Sequence, residues 1–354
     1  MKYIPLSNSV YKRNRVNFMN EMKGNCLAVF NSNDIYPVSA DSELPFEQHR
    51  DIFHLSGIDQ EETILLLYPP SKDDKTREIL FIRKSDNHTK VWEGEKLSKK
   101  QANELSGIDN IYYIEDFKAV LSSIATKVDT FYINKNEHYR ANSPVETRED
   151  RFISWLLKKY PAHNVAKSNP ILQRQRSIKH PHEIDQIKRA CEITRKGFNR
   201  VLKFIKPDIW EYEIEAEFIH EFINNSSKGF AYSPIIASGN DNNVLHYIKN
   251  NKQCKSGELI LMDVGAEYGN YSSDMTRTVP VSGKFSKRQK EIYNAVLRVK
   301  NEATKLLTIG NNWKLFHEQV GEIMTSELIK IKLLDKVDIK NETKKNPAYK
   351  KYFM

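Results

Sequence analysis

Residues 257–281 read GELILMDVGAEYGNYSSDMTRTVPV, and the way this stretch folds back on itself decides the architecture. Leu259-Ile260-Leu261-Met262 is a short apolar run bounded by turn residues, as a buried strand would be. A second strand follows from about Met275. Between them Gly269-Asn270, or alternatively Tyr268-Gly269, supplies a two-residue turn, so the spacing predicts a β-hairpin over 258–281. Paired residue numbers then sum to 539 or to 537. In the second register Asp263 lies directly opposite Asp274. In the first it faces Thr276, and Asp274 lies on the adjacent diagonal. Side-chain direction alternates with a period of two, so both registers place the two carboxylates on one face, with directly opposed Cβ atoms about 4.5–5.5 Å apart. A carboxylate in a buried strand is costly unless it is paired or bound to metal. Two of them so close call for a cation. Hard oxygen donors suit Mn, Mg or similar divalent ions, and neighbouring carboxylates can bridge two of them. The plainer alternative puts one Asp in a turn and pairs the other with Arg277.

Upstream, Val244-Leu245-His246-Tyr247 follows the turn-rich stretch SGNDNN (238–243). An imidazole can move protons near neutral pH, and His246 is the candidate catalytic group. The remaining histidines carry less. His180 and His182 flank Pro181 at a helix start, His220 and His317 fall on helices, and His54, in IFHLSG, would line a surface or an interface. Trp92 is either an exposed aromatic or merely packed.

The hairpin is flanked by helical patterns. Ile184, Ile187, Cys191, Thr194, Phe198, Val201, Leu202 and Ile205 recur at steps of three and four, with Pro181 at the first turn and Pro207 at the end. A second helix is expected from Glu211 to Asn224. Ser286 with Gln289 forms a capping box for a third, and a fourth spans Trp313 to Leu334. The second half is thus helix, helix, hairpin, helix, helix: one and a half copies of a unit whose second hairpin is missing. The first part, to about residue 175, mixes strands (GNCLAVFN, ETILLLYP, REILFIRK, DTFYINKN) with helices at Lys99–Leu105 and Asp150–Lys159, an α/β texture. Pro161 to Pro181 reads as a linker.

The chain has 354 residues, 39% hydrophobic and 29% charged, with 13 Gly and 13 Pro. That excludes a disordered or fibrous chain and fits two domains. No apolar run reaches the roughly 20 residues of a membrane span, and the N-terminus lacks the apolar stretch of a signal peptide. Three cysteines, Cys26, Cys191 and Cys254, make no disulfide framework and point to a reducing cytoplasm. The net charge is +9, of which residues 330–354 carry +5. There the lysines alternate with Asp, Glu and Asn, so a solvated segment is expected rather than nucleic-acid binding.

Four segments together resemble the aminopeptidase P (Xaa-Pro aminopeptidase) family: LPFEQHRDIFHLSGID (44–59), HPHEIDQIKRACEITRKGF (180–198), AYSPIIASGNDNNVLHY (231–247) and the hairpin with the helix after it. The resemblance covers nearly the whole chain. It implies an α/β creatinase-type domain at residues 1–176 and an α+β pita-bread catalytic domain at 177–354. It implies removal of the first residue from peptides with proline second, a dinuclear centre of manganese or another divalent metal, and a homo-oligomer. Carried over by position, Asp263 binds one metal, Asp274 bridges both, and His246 stabilises the reacting carbonyl or shuttles a proton. A water held by two cations becomes hydroxide at neutral pH, and the resemblance implies that it attacks the carbonyl before proline. The proline nitrogen has no hydrogen to donate, so selection rests on ring shape and chain geometry. The family completes its metal site with a histidine and then two glutamates, after a phenylalanine-rich strand like Lys351-Tyr352-Phe353-Met354. No such motif stands in this sequence, and the expectation is a C-terminally truncated form, incomplete at the end of its catalytic domain. Two other functions stay open: a prolidase cleaving Xaa-Pro dipeptides on the same fold, and a non-catalytic pita-bread binding module. The Asp pair favours a peptidase over the latter.

Overall fold

A computed structural model describes residues 2–135, 143–343 and 346–352. The chain divides into two compact units: Met1–Lys196, His220–Tyr232 and Gly265–Asp274 form the first, and Gly197–Ile219, Ser233–Val264 and Met275–Met354 the second.

The first unit is organised by a six-stranded sheet of β1 (Cys26–Asn31), β2 (Ile64–Leu67), β3 (Glu78–Ile82), β4 (Ile111–Tyr113), β5 (Thr130–Ile133) and β6 (Asn164–Lys167), in the order β4-β3-β2-β1-β5-β6. The pairs β1–β5, β5–β6 and β3–β4 are parallel; β2 runs antiparallel to both neighbours. Every residue of β1 is buried. Its alternate side chains serve two cores: Cys26, Ala28 and Phe30 pack with Phe18, Ile52 and Leu55, whereas Leu27 and Val29 pack with Phe117, Leu121 and Phe131. A strand covered on both faces has to be apolar throughout, which is why GNCLAVFN reads as a continuous run.

Helix α1 (Asn8–Glu21) was not expected from the sequence. Its inward face carries Asn14 and Arg15 as well as Val10, Tyr11 and Phe18, so no clean apolar stripe marks it. Arg15 is fully buried; Nη1 donates to the carbonyls of Leu55 (2.8 Å) and Ser106 (3.0 Å), and Nη2 pairs with Glu78 (2.9 Å). The stretch from Pro161 to Pro181 is not an irregular linker. It holds β6 and a helix, Asn169–Ser177, whose Pro170 sits in the first turn, where its missing N–H costs nothing. Nor does His54 line a surface. It is buried in helix α2 (Arg50–Ser56), beside Asn14 and Glu183.

The hairpin and its flanking helices follow the sequence reading closely. Helix α3 runs Pro181–Phe204 and α4 Glu211–Asn224. Strands β7 (Gly229–Phe230), β8 (Ile235–Ser238), β9 (Leu259–Val264), β10 (Ala266–Tyr268), β11 (Tyr271–Ser272) and β12 (Met275–Pro280) form two small sheets. The first unit holds β11-β10-β7 and the second holds β8-β9-β12, all antiparallel. The turn is Gly269-Asn270, with φ of +59° and +67°, the left-handed pair that a tight hairpin needs. Pairing sums to 539 throughout, so Asp263 faces Thr276.

In the second unit the capping box at Ser286 and Gln289 starts α5 (Lys287–Leu306). Asn312 caps α6 (Trp313–Lys330), which ends four residues before the expected Leu334. Ala295, Leu328, Ile331, Leu334 and Ala348 make a core between them. The family-like strand at the end of the sequence is not seen as one: Ala348–Lys351 is a 3₁₀ turn, and Phe353 and Met354 lie outside the described residues. Among those residues no helix is long and apolar enough to cross a membrane.

Candidate active site

Asp263 is the fifth residue of β9 and is half-buried. Its paired neighbours are Ile235 of β8 on one side and Thr276 of β12 on the other. Arg277 has no carboxylate within ion-pair distance among the described residues; its Nη1 donates to the Thr276 carbonyl at 2.7 Å. The alternative that pairs it with one Asp is therefore not what the structure shows.

Asp274 sits differently from the sequence reading. Residues 273–274 and Gly265 interrupt the hairpin, so Asp274 precedes β12 instead of lying in a strand. It is exposed, and its Oδ1 accepts a hydrogen bond from the Tyr232 hydroxyl at 3.1 Å. The interruption is built by a crossing of two backbones. A Cβ at Gly265 would lie 1.9 Å from the Ser273 carbonyl oxygen, so only glycine fits there. The Ser273 N–H donates to the Ala266 carbonyl at 3.0 Å. The Ala266 N–H is shared between Thr194 Oγ1 (2.9 Å) and Ser273 Oγ (3.0 Å), and those two hydroxyls meet at 2.7 Å. Helix α3 thus fixes the residue immediately before Asp274.

His246 lies exposed on a turn after the 3₁₀ segment Gly239–Asn243. Val244, Leu245 and Ile248 around it are exposed as well. Asn242 ties this loop to the strand bearing Asp263: its Nδ2 donates to the Leu259 carbonyl and its Oδ1 accepts from the Leu261 N–H, both at 3.1 Å. His246 and Asp263 therefore belong to one unit, and Asp274 with Tyr232 to the other.

Two family models match the chain. Residues 11–132 match the aminopeptidase P N-terminal domain, and residues 185–352 match metallopeptidase family M24. The Xaa-Pro aminopeptidase of Escherichia coli is 30% identical over 356 residues, an alignment covering 99% of this chain and 79% of the relative. The chain belongs to the aminopeptidase P family. The Xaa-Pro aminopeptidase of Haemophilus influenzae is 31% identical, with 89% of this chain and 70% of the relative covered. Among solved structures, zinc-substituted E. coli aminopeptidase P in complex with product superposes with a TM-score of 0.84 at 29% identity, covering 94% of this chain and 76% of that one. Aminopeptidase PepP of Pseudomonas aeruginosa gives 0.83 at 28%, covering 94% and 75%. The fold is the N-terminal domain of this family followed by its pita-bread catalytic domain.

A divalent metal is implied by the family, and the donors can be tested against it. Asp263 and Asp274 offer carboxylate oxygens. No group of three or more His, Cys, Asp or Glu among the described residues is placed to hold a metal ion. Divalent ions of this kind take about six oxygen or nitrogen ligands. The described donors do not, by themselves, make a metal cage. Sequence reasoning also missed Tyr232, whose bond to Asp274 spans 42 positions and leaves no local signal.

Proposed function

We propose that the chain provides the substrate-handling and part of the metal-binding apparatus of a metal-dependent aminopeptidase that removes the residue preceding proline at a peptide N-terminus. Family membership over nearly the whole chain carries this reading, and the resemblance of the stretch holding Asp263 and Asp274 to the family's motif supports it. Asp263 and Asp274 are the metal-binding carboxylates, manganese is the metal, and the domain boundary falls at 176/177. His246 is the residue that meets the substrate carbonyl. On its exposed turn it can donate a hydrogen bond to oxygen as negative charge develops there, and it can carry a proton. Tyr232 holds the Asp274 carboxylate in one orientation. A peptide of more than two residues is the substrate, and the copies assemble as a homo-oligomer in the cytoplasm.

Two carboxylates alone hold divalent ions weakly. The 354-residue polypeptide is expected to lose manganese on dialysis and to show no turnover of an Xaa-Pro peptide. Metal analysis after dialysis, with a peptide assay in added manganese, tests this. Stoichiometric retained metal would show that donors other than these two complete the centre.

A further inference from the structure

Glu211 is a fully buried carboxylate at the start of α4, in the second unit. A buried charge of this kind is tolerated only when its lone pairs are met by donors. Here all four are. Oε1 accepts from the Ser238 N–H and the Ser238 hydroxyl, each at 2.7 Å. Oε2 accepts from the Tyr247 hydroxyl at 2.8 Å and from the Lys252 N–H at 3.0 Å. These donors have one thing in common: Ser238 begins the segment that carries His246, Lys252 ends it, and Tyr247 is its middle, directly after the histidine. The Glu211 N–H returns a bond to the Lys252 carbonyl at 3.0 Å, and Lys252 Nζ reaches the Ser238 carbonyl at 3.0 Å. One side chain closes the loop at both ends and pins its centre.

We infer that Glu211, acting through the Tyr247 hydroxyl, is the positioning residue that sets where the His246 imidazole stands. The imidazole is exposed while the next side chain is buried, Tyr247 packing against Ile235 and Ala237. With exposed neighbours on its other side, His246 takes its direction from that anchored tyrosine. Burial and the adjacent carboxylate push the Tyr247 hydroxyl up to about 12, so it remains a donor to Glu211 at any ordinary pH. Asn250 supplies an independent support: its Oδ1 accepts from the Ile236 N–H, and its Nδ2 donates to Glu215 and to the Pro234 carbonyl. The loop can therefore stay folded when the Glu211–Tyr247 bond alone is cut, which separates positioning from folding.

The inference rests on the assignment of His246 to the reaction, but its test does not. Tyr247→Phe keeps the packed ring and removes one donor. Glu211→Gln keeps the volume and places an amide N–H where an acceptor is needed, facing either Ser238 or Lys252. Histidine carbon-13 NMR of the 354-residue protein, with the His246 signal assigned from His246→Ala, reads the imidazole directly. Amide hydrogen exchange reads the loop. In Tyr247→Phe the His246 resonance should move or broaden while the other nine histidines, of ten in the chain, stay in place. Exchange across 238–252 should rise by about 10- to 100-fold, as expected for loss of one charge-assisted hydrogen bond. Glu211→Gln should do the same more strongly, and if it does not fold, Tyr247→Phe decides alone. An unchanged His246 signal in Tyr247→Phe, or faster exchange spread through the whole unit, overturns the inference. Failure of the reaction assignment shows separately, as unaltered turnover in His246→Ala of an active form.

Discussion

Replacing Gly265 by alanine is the sharpest perturbation of the candidate site that leaves every polar group in place. The added Cβ would fall 1.9 Å from the Ser273 carbonyl oxygen and 2.7 Å from its carbonyl carbon. Contacts below 3.0 Å do not persist, so the Ser273 peptide has to retreat by at least about 1 Å. The obstacle is backbone, which cannot rotate away as a side-chain tip would. Overpacking of this kind costs about 1–3 kcal/mol, and the upper end applies here. The Ser273 bond to Ala266, at 3.0 Å, is stretched in the process. A loss of about 3 kcal/mol in a unit of this size lowers its melting temperature by roughly 6–12 °C. The same displacement carries Asp274 away from the Tyr232 hydroxyl. Gly283→Ala is the control: its φ of +74° strains an alanine, but nothing lies within 4 Å, so only the left-handed backbone cost of about 1–2 kcal/mol remains. Differential scanning calorimetry of both variants measures the difference. A Gly265→Ala protein that melts with the wild type, or no lower than Gly283→Ala, would refute the crossing as the element that sets Asp274.

Three further outcomes are expected. Burial pushes the Glu149 carboxyl up to about 7 from an ordinary 4.5, so the folded form keeps a proton that the unfolded form releases between those values. Its contribution is fully present below pH 4.5 and is lost as the pH rises to 7, by up to about 3 kcal/mol; Glu149→Gln should therefore stabilise the protein at pH 8 and not at pH 4 in urea unfolding. Arg15→Ala leaves Glu78 and two buried carbonyls without their partner and should cost about 3–5 kcal/mol, read as a fall in the urea midpoint. His246→Ala, in a metal-loaded active form, should lower kcat far more than it lowers metal content, because the imidazole is proposed to meet the carbonyl rather than to bind metal; equal loss of both would reject that role.

Much of this was legible in the sequence wherever the relevant interaction was local. The long helix from Pro181 to Phe204, the Gly269-Asn270 turn and the box at Ser286 and Gln289 are each specified by residues a few positions apart. Asp263 could be placed for the same reason, through strand period and turn chemistry. Asp274 could be placed only in part: the observed register is one of the two the turn allows, but the break before it, where Thr194 meets Ser273 across 79 positions, and its bond from Tyr232 have no local signal. Glu211 carries no local signal because its donors lie 27 to 41 residues downstream. Helix α1 was hidden by the polar residues it buries, and the segment 161–181 by its prolines and charges, which suit a linker as well as a helix start.

Asp263 and Asp274 are proposed to serve a metal-dependent cleavage before proline, with donors beyond these two completing the centre. The direct measurement joins this polypeptide to the portion of the E. coli relative that the alignment leaves uncovered, loads it with manganese, and follows release of the first residue from matched Xaa-Pro and Xaa-Ala peptides. Cleavage of the proline peptide only is expected, abolished by Asp263→Asn or Asp274→Asn with the fold retained. A folded, metal-loaded protein that ignores proline, or one that keeps its activity when either aspartate is replaced, would contradict it.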